Sequence, residues 1–374
     1  MQYVSCVRKL TGSENLMQTK KELIAGAATA LASRLGDGWT VRRVDRRLAG
    51  SVLPRPDEVW SVAAPDREEA LQYVVAARQV YPRDIRRWLA MPRPESPVGN
   101  YLLVADYLTP GSREILEEAG VNYIDVAGNV LVRLSRPTVL LRERANTGRR
   151  PSAPGPVRSL RGGKAARIVR ALCDVTPPFS AHDLASMAGT TAGYVSKVLA
   201  LLDLEALVER RPRGPLEAVV WPALLRRWAA DYGLLSSNTC RLYLAPQGIA
   251  AFQGEMATVA QRDKAFRYAF TGSFAASRRA PVAPPSLLFC YVDDIAGVAE
   301  ETELIPTSGA GNVYLCEPFD PVVFERTWEE AGSVFAALSQ VAVDCLTGLD
   351  RMPSEGEALI EWMAANERAW RGAL

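Results

Sequence analysis

Two hydrophobic periods alternate along this chain, and the places where one gives way to the other mark its elements. Between residues 165 and 172, Ile168, Val169 and Leu172 recur at helical spacing with arginines on the opposite face. Pro177 and Pro178 end the connection that follows. Ser180-Ala181-His182-Asp183 then supplies the hydroxyl and carboxylate of a capping box, which satisfies the free amides of a second helix predicted to reach about Met187. Gly189 breaks that helix, and Thr190 or Thr191 can cap a third. Val195, Val198, Leu199 and Leu202 form its buried stripe and leave Thr191, Tyr194 and Lys197 pointing outward. Residues 207–214 and 218–221 read as two strands around a turn carrying Arg210, Arg211 and Arg213, and a helix packed under them is predicted over 223–232.

Before this block the pattern is that of an α/β domain. It predicts a helix over 20–35, strands over 39–44 and 58–64, and an amphipathic helix over 66–78 with Ala70, Tyr73, Val74 and Ala77 on one face. Residues 101–105 are almost wholly apolar, as in a strand buried on both faces of a sheet. A helix from Thr109 to Gly120 has a clear start and a glycine stop, and 121–125 and 130–133 flank a hairpin signal at Gly128-Asn129.

Helix, capped helix, glycine turn, polar-faced helix and arginine-rich hairpin are, in that order, the parts of a winged helix-turn-helix. This architecture sets one helix in a DNA major groove and a β-wing beside it. The bland alternative is a winged helix reused for protein contacts. Charge argues against it, because residues 142–214 hold 13 Lys/Arg against 6 Asp/Glu in a chain whose net charge is only +2. Ahead of the block, residues 147–163 are rich in Gly, Pro and Arg, hence extended. Arg149, Arg150, Arg158 and Arg161, with Lys164 just beyond, can track phosphates or enter a minor groove; a plain tether is the other reading.

Charge reverses further on. Residues 281–374 contain 4 arginines, no lysine and 16 Asp/Glu, which suits a segment that avoids phosphate or meets a basic protein partner, or one that is merely solvated. A 48% hydrophobic content in 374 residues suffices for two or three domains. No secretory signal or membrane-length apolar run is visible, so a cytoplasmic protein without a membrane partner is expected. The six cysteines lack a Cys-x-x-Cys pair, which suggests reduced thiols and no zinc site. His182 is the only histidine, which disfavours Ser-His-Asp or Cys-His catalysis and excludes a His-rich metal centre.

The runs Tyr101-Leu102-Leu103-Val104-Ala105, Ser112-Arg113-Glu114-Ile115-Leu116 and Tyr123-Ile124-Asp125-Val126-Ala127-Gly128-Asn129 resemble the N-terminal module of bacterial regulators related to the AbiEi antitoxins of type IV toxin–antitoxin systems. The resemblance covers residues 39–221 and, more loosely, the last third. It implies a restriction-endonuclease-like module ahead of a winged helix. Active nucleases of that fold need an Asp on one strand and an acidic-x-Lys triplet on the next, to hold a metal and place a lysine near the attacking water. Asp57 could be the first carboxylate, but Ser61-Val62-Ala63 stand where the triplet is expected. Asp106 and Asp125 are further candidate carboxylates from other strand ends, although such residues more often cap a helix or anchor a turn.

A third α/β domain is expected from about Arg241. Phe270-Thr271-Gly272-Ser273 is similar to the Gly-Ser turn of nucleotidyltransferases, and 287–292 reads as a strand ending in Asp293 and Asp294. Adjacent acids point to opposite sides of a strand, so they cannot share a metal pair as active members require. The helix carrying Glu355, Leu359 and Trp362, with Trp370, reads as core and interface.

The expectation is therefore an α/β multidomain protein: a restriction-endonuclease-like domain (1–146), a basic linker (147–163), a winged helix (164–235) and an acidic nucleotidyltransferase-like domain (240–374). It is expected to bind double-stranded DNA as a regulator through Thr190, Thr191, Tyr194, Ser196, Lys197, Lys164 and the arginines above, with a second copy of the chain as a candidate partner. No catalytic residue, cofactor or metal is expected. The rivals are a targeted nuclease or nucleotidyltransferase, and a DNA maintenance or replication-initiation factor.

Overall fold

The computed structural model describes residues 14–49, 55–66, 68–91, 100–145, 159–210, 214–263 and 265–372. These form a mixed α/β protein of thirteen helices, two seven-stranded mixed sheets and one two-stranded sheet. They divide into two compact units, one within 14–145 and one built from nearly all of 159–372. No helix among the described residues is long and apolar enough to cross a membrane.

In the first unit the elements run α1 (Glu14–Leu35), β1 (Thr40–Val44), β2 (Glu58–Ala63), β3 (Glu69–Val80), α2 (Pro82–Leu89), β4 (Tyr101–Leu108), α3 (Pro110–Glu118), β5 (Asn122–Asp125), β6 (Val130–Leu134) and β7 (Val139–Glu143). Strand order in the sheet follows the chain, with β3–β4 and β4–β5 parallel and the other pairs antiparallel. Successive side chains of a strand point to opposite faces, so a strand apolar at every position must be covered twice. That is the state of β4. Leu102 and Val104 pack with Leu23, Ile24 and Leu31 of α1, whereas Tyr101, Leu103 and Ala105 pack with Ile85 of α2 and Leu116 of α3.

The helix expected over 66–78 is instead strand β3. Ala70, Tyr73, Val74 and Ala77 fit a helical stripe, yet they belong to a nearly continuous apolar run that includes Val75 and Ala76. Two-sided burial removes the alternation that would have marked a strand: Val74 and Ala76 enter one core and Tyr73 the other. The stiff Val74 and Val75 favour the extended form.

The second unit begins with α4 (Gly163–Asp174), α5 (Ala181–Met187), α6 (Ala192–Leu204) and an antiparallel hairpin of β8 (Val208–Arg210) and β9 (Leu216–Val219). Then come α7 (Trp221–Ala229), α8 (Leu234–Ser237), β10 (Thr239–Leu244), α9 (Ile249–Arg262), β11 (Tyr268–Thr271), α10 (Gly272–Ala276), β12 (Leu288–Val292), α11 (Ile295–Glu301), β13 (Ile305–Pro306), β14 (Val313–Glu317), β15 (Trp328–Glu330), β16 (Ser333–Phe335), α12 (Leu338–Leu346) and α13 (Met352–Ala365). The second sheet has the order β13-β10-β14-β12-β11-β16-β15.

The expected boundary at 235–240 does not separate two cores. Ile168, Leu172 and Trp228 share one apolar cluster with Phe270, Tyr291 and Val341. The reason lies in α12, where every residue from Leu338 to Cys345 is buried. A helix buried on all sides needs neighbours all round, and α12 finds them in α4, α7, α10, α13 and β11.

Buried polar groups tie the same elements. The Arg170 guanidinium on α4, 2% exposed, donates to Asp174 (3.0 Å), to the carbonyls of Val322 (3.1 Å) and Glu325 (2.9 Å) and to Gln340 on α12 (3.2 Å). Asp174 also accepts from Ser339. Asp344, fully buried on α12, accepts from Tyr232 (2.7 Å), Tyr291 (2.9 Å), Thr271 (2.5 Å) and Gln340 (2.9 Å).

Not all cysteines are the expected reduced thiols. Cys240 and Cys316 oppose each other in the antiparallel β10–β14 register, with Cα atoms 4.1 Å apart, and their sulfurs are bonded. A separation of 76 residues hides this pairing from the sequence. Cys173, Cys290 and Cys345 are free and buried, and burial pushes their thiols up.

Burial raises the Asp344 carboxyl from 3.8 to about 6, against the pull of its hydrogen-bond donors. A carboxyl raised on folding favours the native state below its unfolded value, and that contribution is lost as pH rises through its folded value. The stability of the wild type minus that of Asp344→Asn should therefore fall by up to about 3 kcal/mol between pH 4 and pH 7, at about 1.4 kcal/mol for each pH unit that separates the folded and unfolded values. Denaturant titrations of both proteins across this range measure it; a constant difference would contradict the assignment.

Candidate nucleic-acid interface

The helical block is positioned by local hydrogen bonds. Asp183 N–H donates to Ser180 Oγ (3.2 Å), while Asp183 Oδ2 accepts from Ser180 N–H (2.8 Å) and Oγ–H (2.7 Å). This is the expected reciprocal cap, and those bonds from Ser180 hold the Asp183 carboxyl below its usual range. His182 stands exposed beside it. After α5 the chain turns through Gly189, whose φ of +55° lies in the left-handed region that glycine enters without cost. Thr190 N–H reaches back to the Ala185 carbonyl (3.0 Å), and Thr191 Oγ accepts from Tyr194 N–H (3.3 Å) at the start of α6.

On α6 the stripe of Val195, Val198, Leu199 and Leu202 is buried as the spacing predicts. The opposite face exposes Thr191, Ser196 and Lys197, and Thr190 is half-buried. Tyr194 is not outward. It flanks the buried stripe next to Val195 and is partly buried against the core. Two exposed residues were not singled out by sequence reasoning. Ala192 and Gly193, in the first turn of α6, are small, and nothing lies within 4 Å of a Cβ built at Gly193. Absence of bulk at an exposed helix start was the available signal.

In the hairpin, Val208 and Leu216 point into the core while Glu209 and Arg210 are exposed, with a bulge between those two. Phe179 adds a third strand-like pairing: Leu216 N–H donates to its carbonyl (2.9 Å), and its own N–H donates back (3.4 Å). Arg211 and Arg213 lie outside the described residues, as do Arg149, Arg150 and Arg158. Arg161 and Lys164 are exposed. The last part of the expected extended linker is docked, since Leu160 is fully buried and its N–H donates to Asp231 (2.8 Å).

Several of the counted positive charges are already used. Arg142 and Arg144 pair with Glu117 (2.8 and 3.2 Å), Arg167 with Asp320 (2.9 Å) and Arg170 with Asp174. Lys197, Arg210, Arg161 and Lys164 are the exposed cations that remain among the described candidates.

The candidate catalytic acids have other partners. Asp57 accepts from Lys20 of α1 (2.8 Å) and from Ala76 N–H (2.9 Å). Ser61-Val62-Ala63 belong to β2, the strand that Asp57 leads into; the facing strand is β3, which brings Val74 and Ala76 to Asp57. Asp106 pairs with Arg78 (3.2 Å). Asp125 anchors a turn, accepting from Asn129 N–H (2.8 Å), Asn129 Nδ2 (2.8 Å) and Leu108 N–H (3.0 Å). The Ile-Asp-x-x-Gly-Asn element is thus a backbone clamp.

In the second unit, Asp293 pairs with Arg267 (2.7 Å), and Asp294 caps α11 by accepting from Ala296 and Gly297 N–H (3.0 and 3.1 Å). Ser273 is buried against Glu355. Gly272 has φ +64°, and a Cβ there would come within 2.9 Å of the Met352 methyl. Packing therefore fills the turn that would cradle a triphosphate. No group of three or more His, Cys, Asp or Glu among the described residues could hold a metal ion.

No family model, curated protein or solved structure matches this chain.

Proposed function

We propose that the chain is a sequence-specific double-stranded-DNA-binding protein, a regulator of antitoxin type that binds upstream of its own gene. In this reading the block from α4 to β9 is a winged helix, α6 is its recognition helix and the β8–β9 hairpin is its wing. The observation that carries the proposal is the solvent face of α6: after a tight glycine turn it presents Thr191, Ala192, Gly193, Ser196 and Lys197 with no bulky apolar side chain among them. Small and polar residues at the start of such a helix let its backbone approach base edges and phosphates closely.

The first unit then serves as a restriction-endonuclease-like scaffold without its chemistry. Its helix, three antiparallel strands, helix and fourth strand parallel to the third support that reading. Valine and alanine facing Asp57 speak against hydrolysis. The acidic lobe is read as a nucleotidyltransferase-like fold that has lost its site, available to a cognate protein partner.

Base reading falls to Lys197 and its neighbours, and the wing arginines hold the backbone. In a gel shift at about 150 mM salt, the protein should retard a fragment from upstream of its gene and leave a random fragment of equal length free and intact in manganese. Lys197→Ala should narrow the affinity ratio between the two fragments by about tenfold, the lower range for reading one base. An unchanged ratio would remove α6 from the reading role, and cut DNA in manganese would restore the nuclease reading. Replacing Arg210, Arg211 and Arg213 by alanine should flatten the dependence of log K on log salt by up to ~3 units, at about 0.9 for each phosphate left without its arginine. Salt-titrated binding measures this, and an unaltered slope would refute the wing assignment.

A further inference from the structure

A cleft of about 730 Å³ opens in the second unit beside the C-terminal end of α4, within the size range of small-molecule sites. Its walls carry Arg278, Arg279, Arg326, Trp328, Trp362 and Trp370. Residues 240–374 hold 18 Asp/Glu against 10 Lys/Arg. Three guanidinium groups gathered in one concavity of this acidic lobe therefore require an explanation.

Packing and pairing account for only part of it. Arg279 pairs with Glu330 (2.6 Å) and lies over the Trp328 ring, 4.1 Å from its centroid. Trp328 is in turn stacked on Phe335 at 4.4 Å and donates its indole N–H to the Ala336 carbonyl (3.0 Å), which fixes the guanidinium in place. Arg278 lies over Phe274 and Phe335, at 5.0 and 5.7 Å, and has no carboxylate partner among the described residues. Arg326 is exposed, and among the described residues it has neither an ion pair nor a hydrogen bond. The one carboxylate on the wall, Asp174, is 4% exposed and already engaged by Arg170 and Ser339. The cleft thus holds an excess of positive charge oriented by aromatic rings, and Trp362 and Trp370 supply further ring surface. Trp370 is itself held edge-on to Trp221 at 4.9 Å, with its indole N–H on the Met363 carbonyl (2.9 Å).

We infer that this cleft binds a small aromatic anion, a flat ring joined to a phosphate or carboxylate. Guanidinium forks recognise either anionic group through paired hydrogen bonds, and a tryptophan-lined wall accepts the ring. The site is separate from the Gly272-Ser273 turn, which packing closes. The inference does not rest on DNA binding, and its test contains no DNA.

Isothermal titration of the full-length protein distinguishes the sources. Adenosine monophosphate and guanosine monophosphate represent ring plus phosphate, and salicylate and indole-3-acetate represent ring plus carboxylate. Adenosine, indole and inorganic phosphate represent the separate halves. At least one joined ligand should bind saturably with a Kd below about 1 mM, and its halves should bind at least about tenfold more weakly. The pair Arg278→Gln and Arg326→Asn should weaken that ligand by about tenfold or more while lowering the thermal midpoint by no more than about 4 °C, the cost of the lost Arg278 ring contacts. Asparagine suits position 326 because φ there is +56°. Saturable binding by none of the joined ligands, binding equal to that of inorganic phosphate, or full affinity in the double variant would each overturn the inference.

Discussion

The buried guanidinium of Arg170 is the constraint on which the second unit depends. A charge removed from water is tolerated only when its donors are matched, and here they meet a carboxylate, two carbonyls and a side-chain amide. Those acceptors come from α4 itself, from the turn around Val322 and Glu325, and from α12. Losing one side of such a knot costs about 3–5 kcal/mol. Its consequence is orientation, since α4 cannot rotate against the acidic lobe without stranding the charge. Neighbouring groups repeat the constraint. Gly163 lies so close to Asp320 that a methyl group there would overlap the carboxylate, and Arg371 donates to the carbonyls of Leu172, Cys173 and Val175 at the end of α4.

The charge separation along the chain takes on a different meaning in this light. Part of the acidic segment meets cations from earlier in the chain: Asp320 takes Arg167 of the basic block, and Glu357 takes Arg226 of α7 at 3.0 Å. Complementarity expected of a separate partner is thus partly internal. Among the described residues, four of the cations counted over 142–214 are held in ion pairs: Arg142, Arg144, Arg167 and Arg170. For the proposed DNA-binding surface this moves weight from net charge to the shape and polarity of the α6 face.

Local signals were legible where local bonds decide the structure. The cap at Ser180 and Asp183, the turn at Gly189, the stripe on α6 and the Gly128-Asn129 hairpin all rest on interactions within a few residues, and all stand where the pattern placed them. What failed depends on distant parts of the chain. β3 read as a helix because both its faces are covered. Tyr194 read as outward because the edge of a buried stripe is set by what packs against it. The Cys240–Cys316 pair, the neighbours that Asp57 meets on β3 and the merging of the helical block with the acidic lobe all depend on strand register or on α12, which lies more than a hundred residues beyond the block. The cationic cleft was invisible for the same reason, because its arginines and tryptophans come from separate segments of the chain.

Cooperativity between the helical block and the acidic lobe is the property that this account stands on. Hydrogen exchange of the full-length protein, followed by mass spectrometry at rising sub-denaturing urea, measures it segment by segment. Peptides covering 165–174 and 195–202 should merge with those covering 288–292 and 338–346 into one opening reaction with a common free energy and urea dependence. Loss of protection in the first pair at lower urea, while the second pair stays protected, would show a detachable block and contradict the shared core.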